Sequence, residues 1–460
     1  MWFLTNSKNT ELIAKIRQFI ATICLGPIPF GASLSWTSPV LPQLQNTNST
    51  STFSITVAEG SWIGSMLAFG VLATAIPSGY LADRFGLKKC ILALVLPHIV
   101  FTLIVAIARN VYLLCLARFI SGISGGGVSV VSAIYIADIS DVSLRGILGS
   151  FFELLIYVGV IMVSTCGAYV HYITLTLILG CVALLGGIVF IFLPESPTYL
   201  VRMNKKEDAI EAIKFYRSDN CDVDEVINEI HSTLQSQQHT QKVNIRKALL
   251  SKSVVRGLVA CSGITIFQQL SAVDGIVFYT VNILQEADTG LNSYTSAIIV
   301  TVFQLLGAIL VMFIIEKAGR RFFLFVSVAI CGSSLLILAI YFHLKKFEID
   351  FVGMNYIPLL TLIVFALGFA LGLGPIPWMV NGELFAQEVK GIANGITISS
   401  NWIFLFIVTK TLPTIMQDFG PHIAFYFFSA CMAACIVFIH FCIPETRGKT
   451  LEQIQIELNS

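Results

Sequence analysis

The stretch DRFGLKK, residues 83–89, places one acid and three bases between two long apolar runs. The runs on either side, residues 58–82 and 89–108, are each long enough to cross a bilayer, which takes roughly 20 apolar residues. Lipid offers no partner to backbone polar groups, so each run is predicted to be a helix. The charged stretch is therefore a short loop between two transmembrane helices, and its later recurrence decides the fold.

The composition of the whole chain supports the same interpretation. Of 460 residues, 56% are apolar and only 12% are charged, and the mean hydropathy is +0.82. A soluble protein of this length would expose far more charge. We predict an all-α membrane protein with transmembrane helices at residues 18–41, 58–82, 89–108, 111–137, 147–170, 172–193, 254–284, 292–315, 322–343, 355–382, 391–412 and 420–443.

Three charged motifs recur in the second half of the chain in the same order. They are Asp83–Lys89 with Glu316–Arg321, Asp138 and Arg145-Gly146 with Glu383 and Lys390-Gly391, and Pro194-Glu195-Ser196 with Pro444-Glu445-Thr446. This ordered recurrence predicts two pseudo-symmetric six-helix bundles. Parallel repeats of this kind form transporters, with the substrate site between the halves.

The predicted organisation has four parts. Residues 1–197 and 253–445 form the two bundles, and residues 446–460 form a tail. Residues 198–252 are the only long polar stretch, and their helical spacing predicts a small cytoplasmic helical domain rather than a loose linker.

The placement of lysine and arginine predicts the orientation. These residues concentrate after segments two, four, six, eight and ten, with Lys345 and Lys346 the main exception in the alternate loops. Positive residues stay inside, so we predict a multi-pass protein with both termini in the cytoplasm. Asn48 then lies in an extracellular glycosylation sequon, which is either occupied or empty.

The ordered motifs resemble those of the sugar porter family of the major facilitator superfamily, over nearly the whole chain. The motifs that carry the resemblance are Gly79–Lys89, Pro194-Glu195-Ser196-Pro197, Gln268-Gln269-Leu270-Ser271, Gly374-Pro375-Ile376-Pro377-Trp378 and Pro444-Glu445-Thr446-Arg447-Gly448. Trp36-Thr37-Ser38-Pro39 and Val408-Thr409-Lys410-Thr411 resemble the insect branch, which includes facilitated trehalose transporters. The resemblance implies facilitative uniport of a hexose or trehalose across the plasma membrane by alternating access. It implies no cofactor, metal or nucleic acid, with a monomer in membrane lipid as the functional unit.

The resemblance also assigns a sugar site. Besides Glu153 and Asp274, its residues are Gln268, Gln269, Trp378, Asn401 and Trp402. Amides donate and accept hydrogen bonds as sugar hydroxyls do, and an indole adds an apolar face and one donor. Two alternatives stay open: the tryptophans are interfacial anchors, or the glutamines form helix–helix hydrogen bonds worth roughly 1 kcal/mol each.

Moving parts are expected at two further places. Pro375 and Pro377 remove two backbone donors and predict a hinge, while Phe278 and Tyr279 predict an outer gate unless they only pack. A cytoplasmic latch of ion pairs between the bundles would close the inner mouth when the protein faces outward, unless these charges only fix topology. The predicted latch residues are Arg84, Asp138, Arg145, Glu195, Arg320, Arg321, Glu383, Lys390 and Glu445. Asp138 and Lys390 depart from the family's Glu and Arg, which predicts a weaker latch.

Two acids distinguish this chain within the family pattern. Asp274 and Glu153 stand where the family usually carries Asn and Gln, and Ala272 stands where it carries Gly. An ionised carboxylate at mid-membrane costs on the order of 3 kcal/mol. Segment five holds no Lys or Arg, and segment seven holds only Arg256 near its start. We predict that one or both acids are protonated much of the time and imitate the amides, so that uptake depends on pH.

Alternatives to this use of the acids remain open. Glu153 stays charged if it faces a watery cavity, and the two acids together would allow proton-coupled symport of a sugar or polyol. Proton-linked sugar porters place their acid in segment one, where residues 19–41 have none, so we favour uniport.

Other classes fit less well. The seven histidines form no catalytic cluster, and the cysteine spacing matches neither a zinc site nor a disulfide framework, so an enzyme is not predicted. Gly122–Gly127 is expected to be a close-packing helix face rather than a phosphate loop. A transport-deficient sugar sensor and a carrier for another polyol or a cationic solute stay open.

Overall fold

The computed structural model describes residues 2–46, 53–217, 222–240, 250–314, 319–349, 351–385, 387–447, 449, 453, 457 and 458. Every regular element within these ranges is a helix. Twelve segments of this described part are long and apolar enough to cross a membrane. The predicted all-α membrane architecture is confirmed, and the first span, predicted at residues 18–41, is longer than expected because it runs from Glu11 to Gln45.

The first bundle and the linker are built from eleven helices within the described residues. The helices are α1 (Trp2–Cys24), α2 (Pro27–Ser35), α3 (Thr37–Gln45), α4 (Val57–Phe85), α5 (Leu87–Ile107), α6 (Val111–Ile139), α7 (Val142–Tyr169), α8 (Tyr172–Ile191), α9 (Pro197–Arg202), α10 (Lys206–Arg217) and α11 (Val223–Thr240).

The second bundle has a matching set. Its α-helices are α12 (Lys252–Gln269), α13 (Val273–Ala287), α14 (Ser293–Ile314), α15 (Arg320–Lys346), α16 (Ile357–Leu371), α17 (Ile376–Glu383), α18 (Gln387–Asp418) and α19 (Pro421–Cys442), and a 3₁₀ turn at Met354–Tyr356 precedes α16.

Three spans are broken near their middle, and each break has a local cause. The first span bends at Gly26, whose φ of 90° lies in the left-handed region that glycine adopts without strain. The span made by α16 and α17 is interrupted between Gly372 and Pro375. Pro375 and Pro377 each lack the N–H that would continue the helix. The span made by α12 and α13 breaks at Ala272, so the polar stretch around Gln268 lies at a helix end.

Close helix packing in the first bundle depends on small residues, as predicted for Gly122–Gly127. A methyl group at Gly122 would lie 2.1 Å from the Leu67 carbonyl oxygen on α4. At Gly126 it would lie 2.7 Å from Val71 Cα. Helices α4 and α6 therefore approach to backbone contact, and the prediction of a close-packing face is confirmed.

The linker helices are attached to the first bundle. Helices α9 to α11 share a small apolar core that includes Ile213, Val226 and Ile227. Tyr216 of α10 inserts into the first bundle, where its hydroxyl lies 2.7 Å from that of Tyr135. The Gln18 side-chain amide donates to the Tyr216 carbonyl at 2.7 Å. The linker thus packs as a helical unit on the inner end of this half.

In both bundles, we call the end that carries the charged loop motifs the inner face and the opposite end the outer face.

Candidate functional site

A buried amide cluster lies where α12 ends beside the break between α16 and α17. Gln268 Nε2 donates to the carbonyl oxygens of Leu373 at 2.7 Å and Gly374 at 3.2 Å. Pro377 has no N–H, so the Leu373 carbonyl lacks the donor that a continuous helix would supply four residues on. The Gln268 side chain replaces that donor and joins α12 to the break.

Asn401 of α18 completes the cluster. Its Nδ2 donates to Gln268 Oε1 at 3.0 Å and to the Thr265 carbonyl at 3.2 Å. Gln269 Nε2 reaches Asn401 Oδ1 at 3.4 Å, whereas Gln269 Oε1 is buried with no hydrogen-bond partner among the described residues. Within the described part of the chain, Gln268 is therefore fully bonded, whereas the side-chain carbonyl of the neighbouring Gln269 is not. A buried acceptor without a partner costs about 1–3 kcal/mol.

One of the two unexpected acids lies beside this cluster, and the other comes from the first half. Asp274 is in the first turn of α13 and lies beside the Gln269 side chain at hydrogen-bonding range. Glu153 is on α7 of the first half. Both carboxyls lie close enough to the Tyr157 hydroxyl to act on it electrostatically. Both are half-buried, and neither forms an ion pair with any residue in the described part of the chain.

The break before α13 carries backbone strain. Ala272 has a φ of 62°, in the left-handed region that costs a residue with a Cβ roughly 1–2 kcal/mol. The backbone carbonyl of Gln269 accepts from the Ala272 N–H at 2.9 Å, and the Ser271 hydroxyl donates to the backbone carbonyl of Gln268 at 2.6 Å. The turn therefore fixes the amides at the end of α12 and starts α13 just before Asp274.

The remaining predicted site residues lie on the same helices. Trp402 follows Asn401 on α18 and is 8% exposed, whereas Trp378 on α17 is 41% exposed. Pro375 precedes α17 and is half-buried, and Pro377 is buried in its first turn. The structure thus places both tryptophans on the two helices that flank the amide cluster.

The predicted outer gate lies between the halves. Phe278 is fully buried and Tyr279 nearly so. The Tyr279 hydroxyl donates to the Thr409 carbonyl at 2.8 Å, and a methyl group at Gly64 of the first half would lie 2.6 Å from the same hydroxyl. Tyr279 itself is non-helical, with φ −124° and ψ 19°, so α13 kinks at this residue.

Further hydrogen bonds join the two halves near the outer face. The Val281 N–H donates to Ser38 Oγ at 3.3 Å, and Asn282 Nδ2 donates to Gln45 Oε1 at 3.0 Å. Lys410 Nζ on α18 donates to the Ser61 hydroxyl on α4 at 2.7 Å. The ammonium also lies 4.6 Å from the centre of the Trp62 ring. These contacts close the outer end in this conformation.

Two basic residues at the contacts between the halves, Arg118 and Lys410, were not predicted from the sequence as site residues. Arg118 on α6 is fully buried, donates to the carbonyls of Ser33 at 2.5 Å and Ile63 at 3.3 Å, and lies 5.8 Å from the Phe278 ring centre across the halves. Lys410 was quoted only as part of a motif. An isolated base inside an apolar span is itself a signal of function, and it would have singled out both.

The predicted latch residues lie at the inner face, and their contacts within the described residues stay inside one half. Arg320 pairs with Glu383 at 3.3 Å, and Lys390 Nζ donates to the Gly382 carbonyl at 2.8 Å. Asp138 accepts a hydrogen bond from the Ser196 hydroxyl. Arg84 and Arg145 are exposed. The inner ends of the two bundles are therefore not joined through this set in the present conformation.

Two glutamates at this face cap the N-terminus of a helix in the same way. Glu445 accepts from the backbone N–H groups of Arg320 at 3.0 Å and Arg321 at 3.1 Å, at the start of α15. Glu195 accepts from the Lys88 N–H at 2.9 Å, at the start of α5. Each carboxylate satisfies donors that a helix N-terminus leaves unpaired and lies in the favourable field of the helix dipole.

A glycine makes room for each of these carboxylates. A methyl group at Gly319 would lie 2.3 Å from a Glu445 carboxylate oxygen, and one at Gly86 would lie 2.4 Å from Glu195 Oε2. The matched motifs of the two halves therefore form matched structures. The predicted glycosylation residue, Asn48, lies outside the described residues.

Comparison with known proteins gives consistent results. A family model described as "Sugar (and other) transporter" matches residues 22–458. The chain is 30% identical over 447 residues to the facilitated trehalose transporter Tret1 of Polypedilum vanderplanki, covering 97% of this chain and 87% of that protein. It is 30% identical over 434 residues to Tret1 of Drosophila mojavensis, covering 94% of this chain but only 50% of that relative.

The fold also matches a solved structure. The inward open conformation of the xylose transporter XylE from E. coli superposes with a TM-score of 0.80 at 20% identity, covering 96% of this chain and 98% of that one. At this identity the likeness shows the fold alone, and it confirms the arrangement of twelve helices in two bundles.

Proposed function

The chain belongs to the sugar (and other) transporter family, and on that basis we propose that it is a facilitative uniporter that carries a hexose or trehalose across the plasma membrane. The observation that carries the proposal is a buried polar region to which both halves contribute. Glu153 comes from the first half, and Asp274 and Gln269 come from the second. Gln269 Oε1 is a buried acceptor that has no partner in the part of the chain that the structure describes.

Transport proceeds by alternating access in this proposal. The outer face is held shut by the bonds of Lys410 to Ser61, Asn282 to Gln45 and Val281 to Ser38, while the latch residues do not join the halves at the inner face. The two bonds between uncharged groups contribute about 0.5–1.5 kcal/mol each and the bond from the Lys410 ammonium about 1.5–3 kcal/mol, so thermal motion can exchange this set for the latch. Phe278 and Tyr279 act as the outer gate, and the break at Pro375 and Pro377 acts as the hinge.

The proposed orientation in the membrane follows from the placement of lysine and arginine in the loops. We propose that the inner face is cytoplasmic, that both termini lie there, and that Asn48 is extracellular. Residues 1–197 and 253–445 are the moving bundles, and residues 198–252 form a cytoplasmic domain fixed to the first through Tyr216. One chain holds a complete site, so a monomer is the functional unit.

Counterflow in proteoliposomes tests the proposal. Vesicles preloaded with unlabelled sugar are expected to take up labelled glucose, fructose, trehalose or a related polyol, with at least one giving a transient overshoot. Protein-free vesicles provide the control. Absence of counterflow for every sugar and polyol in the panel would instead favour a transport-deficient sensor.

A second candidate, proton-coupled symport, is favoured by one observation: Glu153 and Asp274, from opposite halves, both lie within electrostatic range of Tyr157. Uniport predicts that an imposed proton gradient does not drive sugar above equilibrium. Uptake is still expected to be higher at about pH 5 than at about pH 8, because burial disfavours the charged carboxylate and only a neutral carboxyl can donate to a sugar hydroxyl. The Asp274→Asn and Glu153→Gln variants should flatten the profile. Accumulation driven by the gradient would establish symport, and flat profiles in the parent and both variants would reject carboxyl protonation.

A further inference from the structure

One basic side chain of the second half rests on a hydroxyl and an aromatic ring of the first half, near the outer face. Lys410 Nζ on α18 lies 2.7 Å from the Ser61 hydroxyl on α4 and 4.6 Å from the centre of the Trp62 ring. The Ser61 hydroxyl donates to the Ala58 carbonyl at 2.7 Å, so its oxygen accepts from the ammonium. We call the contact of Lys410 with Ser61 and Trp62 the outer lock.

Aromatic contacts between the same two helices place the outer lock at the outer end of a seam between the halves. The Phe406 ring, one turn before Lys410, lies 6.1 Å from the Trp62 ring and 4.3 Å from the Phe69 ring, measured between ring centres. Helix α4 runs from the outer face to the inner face, and α18 runs the opposite way. Lys410 therefore lies outward of the pairing of Phe406 with Phe69, and parting the halves at the outer face removes the ammonium from its partners.

The outer lock depends on a positive charge that no acid neutralises. Lys410 forms no ion pair with any residue in the described ranges. Glu59, the acid nearest in sequence to Ser61, binds the Thr56 N–H and hydroxyl at 2.8 and 2.9 Å. A charged donor strengthens a hydrogen bond, and only a cation is attracted to the face of an indole in this way. The bonds from Val281 and Asn282 across the halves join uncharged groups at 3.3 and 3.0 Å, so the outer lock is the strongest of these contacts.

We infer that the charge of Lys410 determines which face of the carrier is open at rest, because it holds the outer end shut through Ser61 and Trp62. The inference rests on the proposed transport function and adds a determinant of the carrier's resting orientation. Opening the outer face separates the ammonium from both partners, whereas opening the inner face leaves them together. The charge therefore stabilises the inward-open conformation relative to the outward-open one.

Thiol labelling from each face measures the resting orientation. Asp274→Cys supplies one thiol in a background that lacks the native cysteines, and a membrane-impermeant thiol reagent is added to the outer or the inner face. With Lys410 in place, reaction from the outer face is expected to be slow and reaction from the inner face fast. Lys410→Met keeps an unbranched side chain and removes the charge. It should speed reaction from the outer face at least about tenfold, which corresponds to a shift of about 1.4 kcal/mol between the two conformations.

Matched variants separate the charge from packing. Lys410→Arg keeps a cation and should label like the parent. Lys345→Met removes another ammonium near the outer face, whose bonds to the Glu286 and Ala287 carbonyls at 2.9 and 3.0 Å stay within the second half. This control should leave outer labelling unchanged even where its melting temperature falls. Trp62→Leu tests the outer lock without altering Lys410, and it should add little when combined with Lys410→Met, since the two residues share one contact.

The outcomes separate this inference from the proposed function. Equal rates of outer labelling in the parent and in Lys410→Met, with inner labelling intact, overturn the inference and leave alternating access standing. An equal rise in Lys345→Met also overturns it, because the loss of any ammonium near the outer face would then suffice. If the thiol reacts from neither face in any variant, the proposed function fails and the inference falls with it.

Discussion

Replacing Gln269 with leucine is expected to reduce sugar counterflow by about tenfold to 100-fold while leaving the protein folded. Among the described residues, Gln269 Oε1 is buried without a partner, while its Nε2 makes a long bond of 3.4 Å to Asn401 and lies within hydrogen-bonding range of Asp274. Leucine removes these two contacts within the second half and takes away an acceptor offered to the ligand. One lost hydrogen bond to a ligand is worth about 1–3 kcal/mol, which gives the stated range.

Two comparison variants make this prediction sharp. Gln285→Leu alters an exposed glutamine near the outer end of α13, the second helix of the span to which Gln269 belongs, and should leave counterflow unchanged. Gln268→Leu should lower the melting temperature as well as transport, because the Leu373 carbonyl and Asn401 then lose their partner. Unchanged counterflow in the Gln269 variant, or a loss that simply follows a fall in melting temperature, would contradict the assigned role.

The second large effect is expected for Glu445→Ala. The carboxylate accepts from the backbone N–H groups of Arg320, Arg321 and Arg447 at 3.0–3.1 Å, so alanine leaves the start of α15 without its cap. Hydrogen bonds to charged groups contribute about 1.5–3 kcal/mol each, so we expect a markedly lower melting temperature in detergent and at least about a tenfold loss of counterflow.

Glu457→Ala is the control for this variant. Glu457 pairs with Lys449 on an exposed surface, where an ion pair is worth about 0–1 kcal/mol, so its melting temperature should stay near that of the parent. Similar melting temperatures for both alanine variants would show that Glu445 does not cap α15. Glu195→Ala, the matched change in the first half, should behave like Glu445→Ala.

Hydropathy and the recurrence of charged motifs were enough to predict the membrane fold and its two halves. Long apolar runs must be helices in lipid, so their number follows from the sequence. The partners of Glu195 and Glu445 did not follow, because both bind backbone N–H groups that have no sequence signature. The strained Ala272 was equally hidden, since its φ of 62° depends on the turn that surrounds it.

The site was predicted as a list of residues whose roles only the structure distinguishes. Gln268 and Gln269 are adjacent and were assigned the same role, yet Gln268 binds a carbonyl 105 residues away that Pro377 leaves without a donor. Sequence spacing does not show which carbonyl is unpaired. Arg118 was passed over because no motif contains it, although a base in the middle of an apolar run is costly and therefore informative.

The central claim is that Glu153, Gln269 and Asp274 belong to a substrate site between the halves that water reaches. The most direct test introduces Asp274→Cys into a background in which all eleven native cysteines are replaced. A membrane-impermeant thiol reagent is then added to the inner or the outer face, with and without transported sugar. The account predicts reaction from the inner face that sugar slows. A thiol at position 274 that reacts from neither face would place this residue in lipid or a dry helix seam and contradict the account.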